Sequence, residues 1–386
     1  MTEAEAGSNS IDAESEIEEK PARLFAIDGL RGVIMITMVL DHANTFISHG
    51  KLGLEFWGGG FPQYSDTLQF LTRFVTHLSA PGFFLLMGVS MTLFSASRRR
   101  RDWTQFEIIR HYFIRGLLLI ALQVFIENPA WNLGASGTGP VLFGVLYGLG
   151  GAMIVGAFLL SIPSKWLLGL SVVLAIGAHI LVRDPAGVAI EAPLLLGLAL
   201  VPGFTAGIFV LYPVLLWLAL AMFGMVFGRW LLTDKEQTYR REALIGVIFL
   251  ISFVVVRATG TFGNIRAASG AGWIIFLNVV KYLPSLVFIL LALGVDLLLL
   301  AGFARMGSGL RTIFRPVVIL GQNALFCYLL HLYLYGLIGL AFGRQGTTIP
   351  GMYPYWLLGL LLLVPLCWFY GDFKRRQAPE SLWRLL

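Results

Sequence analysis

The sequence predicts an all-α, polytopic integral membrane protein that forms one bundle with both termini in the cytoplasm. Of its 386 residues, 57% are hydrophobic and only 13% are charged, a composition outside the range of soluble globular proteins. Apolar stretches of about 20 residues, enough for a helix to cross a bilayer, recur along the chain. Lys and Arg collect at alternate ends of these stretches, and this asymmetry sets the predicted orientation.

About ten transmembrane helices are predicted from these apolar stretches. They lie near residues 25–47, 70–95, 107–127, 140–161, 165–182, 206–231, 241–258, 273–300, 314–341 and 354–371. Residues 183–205 are also apolar, but Pro193, Pro202 and Gly203 interrupt them, so we interpret this stretch as re-entrant or interfacial. A topology of eleven helices is the alternative.

The chain divides into one membrane domain and two short tails. Residues 1–22 are acidic, with seven acids and one Lys among the first 20, and we predict a disordered cytoplasmic tail. Residues 23–373 form the transmembrane domain, and residues 374–386 form a short basic tail in the cytoplasm. Because the formal net charge of +6 comes mostly from the inner ends of the helices, we expect contact with anionic membrane lipids and none with nucleic acid.

Two pairs of ionisable residues interrupt the first predicted helix. Asp28 and Arg31 lie near its cytoplasmic end, whereas Asp41 and His42 lie in its outer half. Arg31 and His42 are separated by about three helical turns and ~16 Å of rise, and they share nearly the same face. Ionisable groups are costly inside a membrane and indicate a functional site by default.

Neighbouring helices place more polar residues at the outer end. Arg73 and His77 are four positions apart, which puts them on one face of the second helix, and Glu127 ends the third. A structural alternative is that Asp41 pairs with Arg73 and Glu127 with His77, so that the pairs only hold the helices together. Further candidate site residues are Asp66, Lys281, Tyr282 and His331.

A histidine beside a carboxylate can act as a general base at physiological pH. His42, held by Asp41 or another acid, could take a proton from an attacking hydroxyl or amine, or accept an acyl group itself. Arg31, three turns deeper, suits an anionic group. The sequence has no Cys/His spacing typical of a metal site, so we expect no metal.

The spacing of Arg31 and His42 resembles the pattern of arginine, ten residues and histidine in membrane acyltransferases, where cytoplasmic acyl-CoA serves an acceptor outside. Longer segments resemble, in the same order, bacterial relatives of the heparan-alpha-glucosaminide N-acetyltransferase catalytic domain. They cover most of residues 23–371 and read DGLRGVIMITMVLDH, LTRFVTHLSAPGFFLLMGVS, FIRGLLLIALQ, VLYGLGGAMIVGAFLLSIP, LYPVLLWLALAMFGMVFGRW, FLNVVKYLPSLVFILLALG and GQNALFCYLLHLYL. The family implies transfer of acetyl from acetyl-CoA to a terminal glucosamine amine across a membrane.

The sequence departs from this family at one histidine. The heparan-modifying enzymes carry it shortly before the second span, where residues 64–67 here read Tyr-Ser-Asp-Thr, and they have Asn in place of His42. The resemblance then implies that the role of general base has moved to His42. The alternatives are that His49 folds back from the loop to serve as the base, or that the reaction is not N-acetylation of a hexosamine.

From the resemblance we expect acetyl-CoA or another acyl-CoA as co-substrate and an extracytoplasmic glycan or glycolipid as acceptor. The candidate residues that bind the acyl-CoA are Arg31, Arg110, Arg115 and Tyr282. The candidate catalytic residues are His42, Asp41, Arg73 and His77. Arg73 or Tyr282 would stabilise the oxyanion, and His77 would orient groups or relay protons. The resemblance to bacterial relatives implies the inner (cytoplasmic) membrane of a bacterium.

Two other functions compete with acyl transfer. A bundle with His, Asp and Arg near the membrane midplane could be a proton-coupled transporter of small molecules, although the two halves show no paired repeat. The polar cluster could also serve packing alone in a membrane scaffold. The glycine-rich spans predict close helix packing, either within one chain or in a homodimer.

Overall fold

A computed structural model gives the protein as a bundle of helices with one small β-sheet. It describes residues 3–49, 53, 55–133, 139–181, 193–268, 270–378, 381 and 383. The α-helices in these ranges are α1 (Glu3–Ile47), α2 (Thr67–Phe74), α3 (Ser79–Arg99), α4 (Gln105–Leu122), α5 (Asn128–Trp131), α6 (Val145–Leu159), α7 (Ser164–Leu181), α8 (Leu194–Ala199), α9 (Val214–Thr233), α10 (Lys235–Thr259), α11 (Trp273–Leu277), α12 (Leu286–Ala304), α13 (Ser308–Ile313), α14 (Arg315–Gln322), α15 (Ala324–Leu340) and α16 (Ile349–Arg376). The strands are β1 (Val141–Phe143), β2 (Gly203–Thr205) and β3 (Ile208–Val210).

Several helices have the length and hydropathy of membrane spans. Among the described residues, six stretches pass on both counts: Thr67–Arg99, Gln105–Trp131, Val214–Thr233, Lys235–Thr259, Leu286–Ala304 and Ile349–Arg376. A seventh is added if α14 and α15, which are bent by 95° relative to each other, form one span. The all-α membrane class is therefore confirmed, whereas the number of ten helices and the cytoplasmic termini stay predictions.

The stretch that separates the ten-helix from the eleven-helix topology is only partly described. Residues 182–192 lie outside the described residues, and residues 193–205 contain α8, which has six residues, and β2, which has three. Neither element is long enough to cross a bilayer. The described part therefore favours the interpretation as an interfacial segment.

The first helix is longer than predicted at its amino end. Helix α1 begins at Glu3, so residues 3–22, for which we expected a disordered tail, continue the helix of the first span. Ala and Glu are good helix formers, and a helix that is already formed can grow without a new nucleus. The assignment of residues 1–22 as a disordered cytoplasmic tail stays a prediction.

Prolines interrupt two of the spanning helices and thereby place candidate site residues. Pro81 lacks an N–H and its ring clashes with the carbonyl of His77, four residues earlier, and a 3-10 turn covers Val75–Leu78 there. In the same way a π-helical turn covers Gln123–Glu127, just before Pro129. Such turns rotate the following side chains relative to a regular helix.

Helix α1 lies at the centre of the bundle, where it packs against α3, α12, α14 and α15. Its backbone approaches that of α14 very closely, because a Cβ added at Gly32 would lie 2.0 Å from the carbonyl oxygen of Val317. A Cβ at Gly321 would likewise lie 1.9 Å from the carbonyl oxygen of Asp28. Only glycine fits at these two positions, which hold the two helices at a fixed distance.

The predicted span near 273–300 begins as a loop. Helix α11 ends at Leu277, and α12 begins only at Leu286, after Ser285, whose hydroxyl accepts a hydrogen bond from the Phe288 N–H. Asn278 and Pro284, which lie between α11 and α12, disfavour a continuous helix. The prediction of one helix over 273–300 is therefore wrong, and Lys281 and Tyr282 belong to a loop.

Three short strands lie beside this loop. Strand β3 pairs in parallel with β1 and antiparallel with β2, giving the order β1-β3-β2. The predicted spans near 140–161 and 206–231 thus begin as strands, and the helices α6 and α9 start only at Val145 and Val214. Strands β1 and β3 contribute Leu142 and Phe209 to a cavity in the bundle.

Candidate active site

Two cavities lie one after the other along α1, and we name them the Arg31 cavity and the His42 cavity after residues in their walls. Their volumes are about 330 and 320 Å³, respectively. Phe83, Val145 and Tyr328 line both. The cavities therefore adjoin at these three side chains and accompany α1 from Arg31 to His42.

The wall of the Arg31 cavity carries several basic groups. The Arg31 guanidinium donates hydrogen bonds to Asp28 at 2.9 Å, to the Ser90 hydroxyl at 3.2 Å and to the carbonyl oxygen of Gly321 at 3.3 Å. Arg115 and Lys374 line the same cavity. With three basic side chains in its wall, the cavity suits an anionic group.

The predicted cofactor residues are only partly brought together. Arg31 and Arg115 share the Arg31 cavity, but Arg110, on the same helix as Arg115, is exposed and lines neither cavity. Tyr282 lies at the other end, in the wall of the His42 cavity. Arg115 follows Arg110 by five residues, which is a rotation of about 140° around α4, so the two side chains lie on different faces of the helix.

His42 contacts another histidine and not the neighbouring carboxylate. Its Nδ1 lies 2.6 Å from Nε2 of His331 on α15, and the two rings are nearly coplanar, with 10° between their planes. Nδ1 of His331 lies 3.0 Å from the carbonyl oxygen of Cys327. The expectation that Asp41 holds His42 is therefore not met, because the Asp41 carboxylate binds Arg73.

Arg73 is held by two carboxylates. Its Nη1 donates to Asp41, its Nη2 donates to Glu55 at 2.6 Å, and its Nε donates to Glu55 at 2.9 Å. The side chains of Arg73 and Glu55 are 2% and 0% exposed, so this is a buried ionic cluster. Most guanidinium donors are occupied here, which leaves Arg73 little capacity to stabilise an oxyanion.

His77 joins the same cluster from the 3-10 turn. Its Nε2 lies 3.4 Å from Oε1 of Glu55, and its ring packs edge-on against Phe74 and Phe288. It does not line the His42 cavity. Of the two predicted packing pairs, Asp41 with Arg73 is present, whereas His77 neighbours Glu55 and not Glu127.

Glu127 faces the His42 cavity from the π-helical turn. It is 1% exposed, and its Oε1 accepts a hydrogen bond from the Trp131 indole at 3.0 Å. Its Oε2 is buried without a hydrogen-bond partner among the described residues. The Trp131 ring packs edge-on against His42, with 4.9 Å between the ring centroids. Glu127 thus offers the cavity a hydrogen-bond acceptor close to the histidine.

The loop before α12 supplies Lys281 and Tyr282 to the same cavity. Both are buried, and the backbone N–H groups of both donate to the carbonyl oxygen of Glu55, at 3.2 and 3.0 Å. Lys281 interacts electrostatically with Asp41 and His42. An ammonium group therefore lies near the histidine, which brings a donor that could stabilise negative charge.

Arg257 fixes this loop from α10. Its guanidinium donates to the carbonyl oxygens of Phe276 at 2.8 Å and Ile275 at 3.0 Å, and to that of Asn278 at 2.7 Å. It also donates to the carbonyl oxygen of Arg266 at 2.9 Å and to the Asn264 side chain. All five N–H groups of Arg257 are thereby used, and they hold the loop that positions Lys281.

Asp66 and the loop histidine His49 also lie away from both cavities. Asp66 is exposed and caps α2, where its carboxylate accepts a hydrogen bond from the Gln69 N–H at 2.9 Å. His49 is exposed, and its Nε2 contacts the carbonyl oxygen of Gly343. The structure therefore gives Asp66 a local role in helix capping and brings His49 into neither cavity.

Glu55 is the main residue that the sequence reasoning missed. Burial alone would raise the pKa of this carboxyl, but the charge of Arg73 and the proximity of His77 hold its pKa well below the usual value. Tyr64 donates a hydrogen bond to Glu55 at 3.2 Å, and burial together with the Glu55 charge raises the pKa of Tyr64. The sequence did contain a clue to Glu55. A buried Arg73 requires counter-charges, and Glu55 is the one acid between residues 50 and 65.

Two aromatic residues of the site, Trp131 and Tyr328, were missed as well. Tyr328 lines both cavities, neighbours Glu127, and packs edge-on against His42 and His331. Aromatic residues are common in membrane helices, so the sequence alone did not distinguish them. Their positions beside His42 depend on the three-dimensional packing of α5 and α15 against α1.

The fold and the site define an integral membrane protein with a histidine-bearing cavity between its helices. The model of the family Heparan-alpha-glucosaminide N-acetyltransferase, catalytic, matches residues 23–256. The match covers more than half of the chain, and the chain belongs to this family, which supports a membrane acetyltransferase type of function. The match includes Arg31 and His42 and ends before Lys281 and His331. No curated protein matches the chain.

Proposed function

We propose that the protein transfers an acyl group, in the first instance acetyl, from cytoplasmic acyl-CoA to an amine or hydroxyl on the opposite side of the membrane. The observation that carries this proposal is the pair of adjoining cavities along α1. One has a basic wall at Arg31, and the other contains His42. A donor and an acceptor can therefore approach one histidine from opposite ends of the bundle.

The Arg31 cavity suits the nucleotide end of acyl-CoA. Arg31, Arg115 and Lys374 present positive charge, and guanidinium groups bind phosphate oxygens in a fork geometry. The remaining wall is largely apolar, with Phe83 and Val145 at the junction of the two cavities. A thin pantetheine arm fits such a passage and would bring the thioester toward His42.

His42 acts as the general base in this proposal. It takes the proton of the attacking nitrogen or oxygen, which then forms a bond to the thioester carbonyl carbon. When the tetrahedral intermediate collapses, the carbon–sulfur bond breaks and the imidazolium of His42 returns the proton to the sulfur. The products are an amide or ester and free CoA thiol.

The residues around His42 divide the remaining tasks. Lys281 and Tyr282 are the groups best placed to stabilise the oxyanion, since the donors of Arg73 are occupied by Asp41 and Glu55. Arg73 instead holds the wall of the cavity together. The unpartnered Oε2 of Glu127 suits an ammonium or hydroxyl hydrogen of the acceptor.

The acceptor in this proposal is a carbohydrate or glycolipid in the extracytoplasmic space. The name of the family, which refers to an N-acetyltransferase of a glucosaminide, and the polar side chains of Asp41, Glu127 and Lys281 in the His42 cavity support this class. The predicted excess of Lys and Arg at the inner helix ends supports cytoplasmic termini. We place the protein in the inner membrane of a bacterium.

The test uses the full chain in liposomes with acetyl-CoA that carries a labelled acetyl group. We expect label to move to amino-sugar or glycolipid acceptors on the side opposite the acetyl-CoA. His42→Ala should lower the rate by about 10²–10⁴-fold, the usual contribution of a positioned general base. His49→Ala is the matched control, because His49 is exposed and lies in neither cavity.

Each other outcome selects a different function. Loss of transfer in His49→Ala with activity retained in His42→Ala would assign the base to the loop histidine. Movement of solute across the liposome membrane without transfer of label would favour a transporter. If neither transfer nor movement of solute occurs, and His42→Ala changes only thermal stability, the polar cluster serves packing.

A further inference from the structure

The histidine pair formed by His42 and His331 joins residues that are far apart in sequence. His42 lies on α1 and His331 on α15, and their ring nitrogens approach to 2.6 Å. His331 is fully buried. The rings are held nearly in one plane, and Tyr328 packs edge-on against both. The contact is therefore an in-plane hydrogen bond between two ordered imidazoles.

The carbonyl oxygen of Cys327 determines where the protons of this pair lie. A carbonyl oxygen can only accept, so Nδ1 of His331, at 3.0 Å from it, must carry the hydrogen. The ring nitrogens of His331 contact a carbonyl and another imidazole, neither of which is an anion, and burial disfavours a charged ring. His331 is then neutral, and its Nε2 is an acceptor.

We propose that His331 is a positioning residue that fixes the tautomer of His42; this inference rests on the proposed function. Nδ1 of His42 must donate to the Nε2 acceptor of His331, so Nε2 of His42 carries the lone pair. The ring nitrogen of His42 that does not contact His331 is thus unprotonated before substrate binds. An imidazole whose Nδ1 already donates a hydrogen bond can take up a proton only at Nε2.

A neutral partner differs in one respect from the carboxylate that commonly orients a catalytic histidine. A carboxylate would stabilise the imidazolium strongly and retain the proton. Asp41, the nearest carboxylate in sequence, binds Arg73, so the hydrogen-bond partner of the His42 imidazolium is a neutral acceptor and not a carboxylate. Return of the proton to the departing sulfur is favoured by this arrangement.

The first experiment measures steady-state transfer by two variants of His331. In His331→Phe the acceptor is lost while a ring of similar size remains, and kcat should fall about tenfold or more with little change in KM for acyl-CoA, since a positioned base contributes about 10²–10⁴-fold. His331→Gln retains an acceptor oxygen near the position of Nε2. It should stay within about threefold of the wild-type kcat.

A control separates positioning from stability. Tyr335 lies one turn further along α15, and its hydroxyl donates to the carbonyl oxygen of Trp356 at 2.6 Å. Tyr335→Phe removes this buried hydrogen bond without touching the imidazole pair. It should lower the thermal midpoint and leave kcat unchanged. In His331→Phe, by contrast, kcat should fall.

The second experiment observes the tautomer directly and needs no turnover. ¹⁵N NMR of histidine-labelled protein in lipid nanodiscs, with His42→Ala to assign the signal, should show His42 protonated at Nδ1. In His331→Phe this preference should be lost. A wild-type His42 protonated at Nε2, or an unchanged kcat in His331→Phe, would overturn the proposal. If the wild type transfers no acyl group, the proposed function fails, and the tautomer still decides the role of His331.

Discussion

The two membrane arginines of the site, Arg31 and Arg73, have opposite relations to their surroundings. Arg31 has a side chain that is 21% exposed, in a cavity wall with one carboxylate, Asp28, beside it. Arg73 has a side chain that is 2% exposed and is bound by both Asp41 and Glu55. An arginine in a cavity wall with a single carboxylate partner is suited to a ligand, whereas an arginine bound by two carboxylates is suited to holding the protein together.

The largest expected effect comes from the more buried arginine. Arg73→Leu leaves the carboxylates of Asp41 and Glu55 buried without their partner, and breaking a buried pair typically costs about 3–5 kcal/mol. We expect a large fall in the thermal midpoint in detergent. Arg31→Leu is the matched control, and its fall in the midpoint should be clearly smaller, because it removes the partner of one carboxylate, Asp28, and not of two. Equal destabilisation by both substitutions would abolish the distinction between the two arginines.

The more exposed arginine should affect binding of the donor. Arg31→Gln removes a positive charge from the Arg31 cavity, and we expect KM for acyl-CoA to rise about tenfold, which corresponds to ~1.4 kcal/mol, while kcat changes little. Arg110→Gln is the control, because Arg110 is exposed and outside the cavity. An equal rise in KM for both variants would show that only the overall positive charge of the cytoplasmic surface matters.

The smallest effect should come from Asp66, which belongs neither to the Arg31 cavity nor to the ionic cluster around Arg73. Asp66→Ala removes the cap of α2, and loss of such a cap costs about 1 kcal/mol. Thermal unfolding should record this small loss, while kcat and KM stay at wild-type values. Asp66→Asn, which retains a capping oxygen, should restore the stability. A change in KM for the acceptor would return Asp66 to the site.

The sequence predicted the polar residues of the site better than their partners. Arg31, Asp41, His42 and Glu127 were recognised because ionisable groups are rare in membrane helices. The pairing of His42 with His331 was not recognised, because it depends on how α15 packs against α1, and these two helices are far apart in the sequence. Neighbours in sequence gave the wrong partner, because Asp41 turns to a different face of the helix than His42.

Loops account for the other differences between prediction and structure. Hydropathy averages over a window, so it joined the loop before α12, with Lys281, to the span that follows it. Glu55 lies in a loop and therefore did not register among the intramembrane charges. Its importance follows only from the buried position of Arg73, which is a property of the folded chain.

The close contact of α1 with α14, through Gly32 and Gly321, has a consequence for the choice of donor. Arg31 and His42 lie on one helix, and that helix cannot slide along its neighbour. The distance between Arg31 and His42 is therefore fixed, and it sets the distance required between the anionic head of a donor and its reactive carbon. The protein should discriminate among thioesters by length. A truncated carrier that ends short of the phosphates loses its anchor, and a longer one carries its acyl group past the base.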